Sequence, residues 1–135
     1  MNKNNTQSVI ITLLISSLIV LSSMFIIKGT SVEALEASIK IKGLYGTEIM
    51  YKDIEEIRKL DTLPMWGIKT NGINLVFINI GMFTYTELGK VRLFEIKKEK
   101  PYVLIIGKTE KIVLALGRAK NEEIYRIVKE KMKSK

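Results

Sequence analysis

The chain has 135 residues, with 22 lysines and arginines against 14 aspartates and glutamates, a formal net charge of +8. It contains no histidine and no cysteine. That removes histidine acid–base catalysis, serine–histidine and cysteine–histidine nucleophiles, the usual zinc sites, disulfides and a lipid-modified cysteine anchor.

Residues 9–27 are nineteen consecutive uncharged positions, fourteen of them apolar. As a helix they span about 28 Å, close to the ~30 Å hydrocarbon thickness of a bilayer. Lys3 stands before the run and Lys28 closes it. A cleaved signal peptide has an apolar core of roughly 7–15 residues with small residues at the cut. This core is longer, and a cut after Ala34, with Val32 upstream, would lie seven residues beyond it. The run reads as an uncleaved single-pass anchor in the cell membrane. Thr12, Ser16, Ser17, Ser22 and Ser23 would hydrogen-bond their own helix; self-association through Thr12 and Ser16, giving a homo-oligomer, is the alternative. Lys28, Lys40 and Lys42 after the span outnumber Lys3 and the amino terminus before it, which tips the carboxyl-terminal domain toward the cytoplasm.

The expected organisation is therefore a flank over residues 1–8, the span over 9–28, a small polar linker over 29–37 and one domain over 38–135. Residues 29–135 keep 20 basic and 14 acidic side chains, a net +6. Such a surplus suits nucleic acid, an anionic membrane surface or plain solubility. The local concentrations, Lys97-Lys98-Lys100 and residues 126–135, are not interleaved with exposed aromatics as a single-strand platform requires, so nucleic acid is set aside.

Within the domain, residues 38–42 alternate, with Ile39 and Ile41 against Lys40 and Lys42. Gly43 and Gly46 mark a turn, and residues 49–51 a short strand. Tyr51, Ile54, Ile57 and Leu60 recur every three residues, a local helix signal that Leu63-Pro64 ends. Asn71-Gly72 between two strand-like runs, 65–69 and 73–80, predicts a type I′ hairpin turn. Gly81 and Gly89 mark further turns, residues 90–96 alternate, and 102–106 and 111–116 read as strands joined at Gly107-Lys108-Thr109. About seven strands at this spacing indicate a sandwich or barrel. Asn121 is placed to cap a final helix, Glu122 and Glu123 follow it, and Ile124, Ile127, Val128 and Met132 make its apolar face.

Little chemistry remains. Glu55-Glu56 and Glu122-Glu123 are sequence neighbours, which do not face each other on a helix or strand. Calcium spacing of the EF-hand kind is absent. Gly107-Lys108-Thr109 resembles the tail of a phosphate loop, but Tyr102 stands where the first glycine belongs and a strand follows, so the triplet is a turn. Trp66 reads as a core residue. No metal or other cofactor is implied.

Read in order, Leu44-Tyr45-Gly46, Asp53-Ile54, Leu63-Pro64, Gly67 through Gly72, Gly81 with Phe83, Gly89-Lys90-Val91, Leu93-Phe94 and Pro101 resemble a family of bacterial pleckstrin-homology (PH) domains that often follow a membrane span. The resemblance covers residues 38–133 and implies a mainly β fold: a PH-like bent seven-stranded β-sandwich capped by a carboxyl-terminal helix. It also implies that residues 54–60 are strand, against the three-residue period, and that the domain binds rather than catalyses. Lipid-binding relatives use basic residues around the first hairpin; here Lys40, Lys42 and Lys69 are the candidate binding residues. The functional expectation is a non-enzymatic module binding a protein or peptide at the membrane. The alternatives are anionic lipid head groups or a structural, oligomerising role.

Overall fold

Helix α1 (Lys3–Gly29) is the one helix among the described residues long and apolar enough to cross a membrane. The computed structural model describes residues 2–64, 67–75 and 77–134. Nearly all of α1 is exposed, but Ile26 is buried among the domain's core residues. The Thr30 amide donates to the carbonyls of Ile26 and Ile27 (3.0 and 3.3 Å), and its hydroxyl donates to Ile26 (2.8 Å). The helix thus stops within one turn of the side chain that enters the domain. The hydroxyls of Thr12, Ser17 and Ser23 donate to carbonyls three or four residues back in α1 itself.

The segment expected as a linker contains a strand. β1 (Ser31–Ala34) pairs antiparallel with β2 (Ser38–Lys42), which pairs with β3 (Thr47–Met50) to make a three-stranded sheet. Its small and acidic residues hide the strand in the sequence. Register shows why it forms: Val32 packs against the core, Glu33 meets Lys42 at 2.7 Å, and β2 gains backbone partners on its second edge.

A single 3-10 turn (Tyr51–Asp53) leads to β4 (Ile54–Leu60), a strand despite the three-residue period. The register slips between Ile54 and Glu56, and this bulge lets Ile54 and Ile57 both face the core from an extended chain. There follow β5 (Ile68–Leu75), β6 (Ile78–Tyr85), β7 (Gly89–Lys97), β8 (Tyr102–Gly107) and β9 (Lys111–Leu116). The six strands lie in the order β4-β8-β9-β7-β6-β5, with β7 and β9 parallel and the rest antiparallel. There are nine strands among the described residues rather than about seven.

Asn71-Gly72 is not the turn. Both residues lie inside β5, with Gly72 opposite Gly81, and the chain reverses beside Phe77. A Cβ on either glycine would strike the facing backbone, and both have positive φ (150° and 139°). The glycines serve a close crossing of two strands rather than a reversal. Gly107-Lys108-Thr109 does turn β8 into β9, closed by the Gly107 amide donating to the Glu110 carbonyl at 2.9 Å.

Alternation gives the large sheet two buried faces. Ile80, Phe94, Ile105, Ile112 and Leu114 face Ile39, Ile41 and Ile49 of the small sheet. Phe83, Tyr85, Val91, Leu93, Leu104 and Val113 form a second cluster on the other face, where Leu63 packs. Gly67 lies so close to the Tyr85 ring that a Cβ would collide with it. Met65 and Trp66, the expected core tryptophan, lie outside the described residues.

Helix α2 (Arg118–Lys133) closes the inner core with Ile124 and Val128 fully buried and Ile127 and Met132 half-buried. Asn121 does not cap it; Gly117 precedes the first turn, and Asn121 lies inside that turn with no exposed surface. Its Oδ1 accepts from the Leu116 amide (3.1 Å) and its Nδ2 donates to the Pro101 carbonyl (2.8 Å), satisfying two strand-end groups at once. The Arg118 amide donates to the Glu99 carboxylate at 3.0 Å, and that bond, with Lys97 beside it, holds the Glu99 carboxyl below its usual range.

The burial of Ile26 makes α1 part of the domain's stability. Ile26→Ala lowers the unfolding free energy in detergent by about 2 kcal/mol. Phe25→Ala, at a neighbour 78% exposed, changes it by less than about 0.5 kcal/mol. Denaturant titration followed by circular dichroism measures both.

Candidate binding surface

Lys40 and Lys42 point away from the core on β2, and each faces a glutamate. Lys42 lies 2.7 Å from Glu33 on β1, and Lys40 lies 4.0 Å from Glu48 on β3. The Lys42 hydrogen bond and charge hold the Glu33 carboxyl below its ordinary value. The Ser38 hydroxyl donates to Glu48 as well (2.6 Å). The first hairpin is therefore a strip of alternating charge rather than a basic cluster. Lys69 lies on β5, in the other sheet, exposed and with no acidic partner among the described residues.

A polar clamp that the sequence does not announce positions the first hairpin instead. Arg92 on β7 meets Glu110 at 2.8 Å, the least exposed ion pair among the described residues. Arg92 also donates to the Tyr45 carbonyl (2.9 Å), and Glu110 accepts from the Thr47 hydroxyl (2.6 Å). The Tyr45 hydroxyl donates to Asn71 on β5 (2.7 Å). These residues lie 18 to 63 positions apart, so no local motif carries them.

Among the described residues one side-chain carboxylate is buried. Glu95 is 4% exposed on the second face of the large sheet. It accepts from Asn79 Nδ2 (2.6 Å) and lies 3.5 Å from Lys98. Its partners are an amide and an ammonium, not a second acid, so the two-carboxylate arrangement of hydrolytic chemistry is not formed there. Among the described residues no group of three acidic side chains is placed to hold a metal ion. A shallow depression of about 500 Å³ on the outer side of α2 holds Lys59 over the Tyr125 ring (4.7 Å) and bound to Glu122 (2.6 Å). Arg126 and Glu130 form a second, looser pair in its lining (3.8 Å).

The sheet edges differ more. β4, at one edge of the large sheet, carries Glu55, Glu56, Arg58 and Lys59, and α2 packs beside it. β1 and β3, at the edges of the small sheet, are four residues each. β5, at the remaining edge, has eight residues and a single charge, Lys69, and Ile68 is 73% exposed. Charge and shortness are what normally keep an edge from pairing with another chain. β5 has neither.

The family model for the bacterial PH domain matches residues 30–130. The chain belongs to the bacterial PH domain family. No curated protein and no solved structure matches it. The match begins one residue before β1, so the strand hidden in the expected linker falls within the matched span. Domains of this family are in general non-catalytic binding modules. In this bacterial PH domain β5 is the longer and less charged of the two edges of the large sheet.

Burial on the second face has a measurable consequence at Tyr85. Desolvation, reinforced by the charge of Glu95, pushes its phenol from the ordinary value of 10 up to about 12. The folded chain therefore holds the proton after the unfolded chain has released it, so native stability falls as pH rises from 10 toward 12. Across that window the stability of Tyr85→Phe relative to wild type increases, read from urea midpoints at each pH.

Proposed function

We propose that this bacterial PH domain is a non-catalytic binding module anchored in the cell membrane by α1, and that its partner is a protein or peptide segment that adds as a strand to β5. The observation that carries this reading is the open edge: eight residues, one charge, and Ile68 73% exposed at its start. An extended segment would satisfy the outward backbone groups of β5, and Ile68 and Lys69 would give it side-chain selectivity. The absence of histidine and cysteine, and a buried glutamate held by an amide and an ammonium, support the non-enzymatic part. Burial of Ile26 supports a retained α1, since cleavage after Ala34 would strip a core side chain and all of β1. The positive-inside count supports a cytoplasmic domain. Three α1 hydroxyls are bonded within the helix, and a second copy of the chain pairing along β5 is the structural alternative.

A photo-crosslinking residue in place of Ile68 in the full-length membrane protein gives a discrete adduct, and the same residue in place of Glu55 on β4 gives none. Ile68→Asp abolishes recovery of that partner from solubilised membranes. Equal crosslinking at both positions would refute the edge.

A second reading, contact with anionic head groups, is favoured by the place of one basic loop cluster. Ile96, Leu116 and Lys120 line a cavity with Ile27 and Thr30 at the end of α1, so Lys97, Lys98, Lys100 and Arg118 lie at the α1 end of the large sheet. Lys97, Lys98 and Lys120 already hold glutamates, which leaves Lys100 and Arg118 as the surplus. In nanodiscs, anionic lipid then raises the melting temperature of the wild type but not of Lys100→Gln/Arg118→Gln, and salt removes the gain.

A further inference from the structure

The turn between β5 and β6 ends in a bulky side chain with little protein around it: Phe77 is 77% exposed. With Leu75 it forms one wall of an apolar cavity of about 420 Å³, whose other wall is α1 at Ile19, Val20, Ser23 and Met24. The hairpin tip thus lies alongside the apolar run of α1.

The length of that run decides what surrounds the tip. Ile26 is buried in the domain, so the part of the run free to meet acyl chains is residues 9–25, about 26 Å of helix. A hydrocarbon layer of about 30 Å takes up all of it. The boundary on the domain side then falls at Phe25, itself 78% exposed, and the level of residues 19–24 lies inside by up to about 9 Å. The chemistry of the hairpin agrees. Residues 70–86 are seventeen consecutive uncharged positions, the longest such stretch after α1. Leu75 pairs with Ile78 across the turn, so the strand ends are already paired there.

We propose that the end of the β5–β6 hairpin is a second membrane-inserted element, with Leu75 and Phe77 entering the acyl chains of the leaflet on the domain's side, across the cavity from α1. This rests on α1 being a bilayer span and is independent of the peptide edge. Insertion of the tip would hold the large sheet at one tilt to the membrane plane.

The chain has no cysteine, so single spin labels can be placed in the full-length protein reconstituted in phosphatidylcholine vesicles. Labels are introduced by Phe77→Cys, Val20→Cys and, on the far loop, Glu87→Cys, and relaxation by oxygen is compared with relaxation by a water-soluble nickel chelate. Positions 77 and 20 show excess oxygen and loss of nickel access; position 87 shows the reverse. Leu75→Cys gives the same sign as position 77 if a label at the tip itself perturbs the turn. Nickel access at 77 and 75 with excess oxygen at 20 overturns the inserted tip and leaves the span intact. Nickel access at 20 overturns both.

Discussion

The entry of Ile26 into the domain core is the contact on which the rest of the architecture depends. With Ile26 part of the cluster that holds Ile39, Ile41 and Ile80, the helix end cannot leave the domain without exposing that side chain. Because Thr30 closes the helix immediately afterwards, the next residues are held beside β2 and become β1. One side chain thereby joins the span, the small sheet and the inner face of the large sheet. Orientation, rather than reach, becomes the quantity that α1 controls.

Polar interactions then set the details that apolar packing leaves loose. Burial of isoleucine is non-directional and would tolerate several placements of the first hairpin. The Arg92–Glu110 pair, with its bonds to Tyr45 and Thr47, selects one. A partly exposed ion pair contributes modestly to stability, so its main effect is on geometry. Asn121 acts similarly at the other end. Fully buried, it ties the end of β9 to the Pro101 loop, where a lost partner would leave buried backbone groups unsatisfied.

Where a local pattern taken alone points elsewhere, the cause is traceable in each case. The three-residue period of Ile54 and Ile57 is a helix signal unless a bulge shifts the register, and the bulge depends on pairing with β8, some fifty residues away. Asn71-Gly72 has the dihedral freedom of a turn, and β5 uses that freedom instead for a close approach to Gly81. The acidic neighbours of Lys40 and Lys42, Glu48 and Glu33, come from the flanking strands and cannot be read from local sequence. The open edge of β5 was only half legible. Its low charge can be read directly, but that it is an edge follows from strand order.

By itself the sequence determined the apolar run, the mainly β domain, the final helix with its buried stripe and the absence of histidine and cysteine chemistry. Its turn residues also carried the likeness to bacterial PH domains. These are properties of composition and local period, and they survive any change in how distant segments meet. Only the tertiary structure decided that the linker holds a strand, that the first hairpin's lysines have acidic neighbours, and that Leu75 and Phe77 share a cavity with α1. Each of those depends on which segments become neighbours, and pairing between residues far apart in the chain is set by the packing of the whole core.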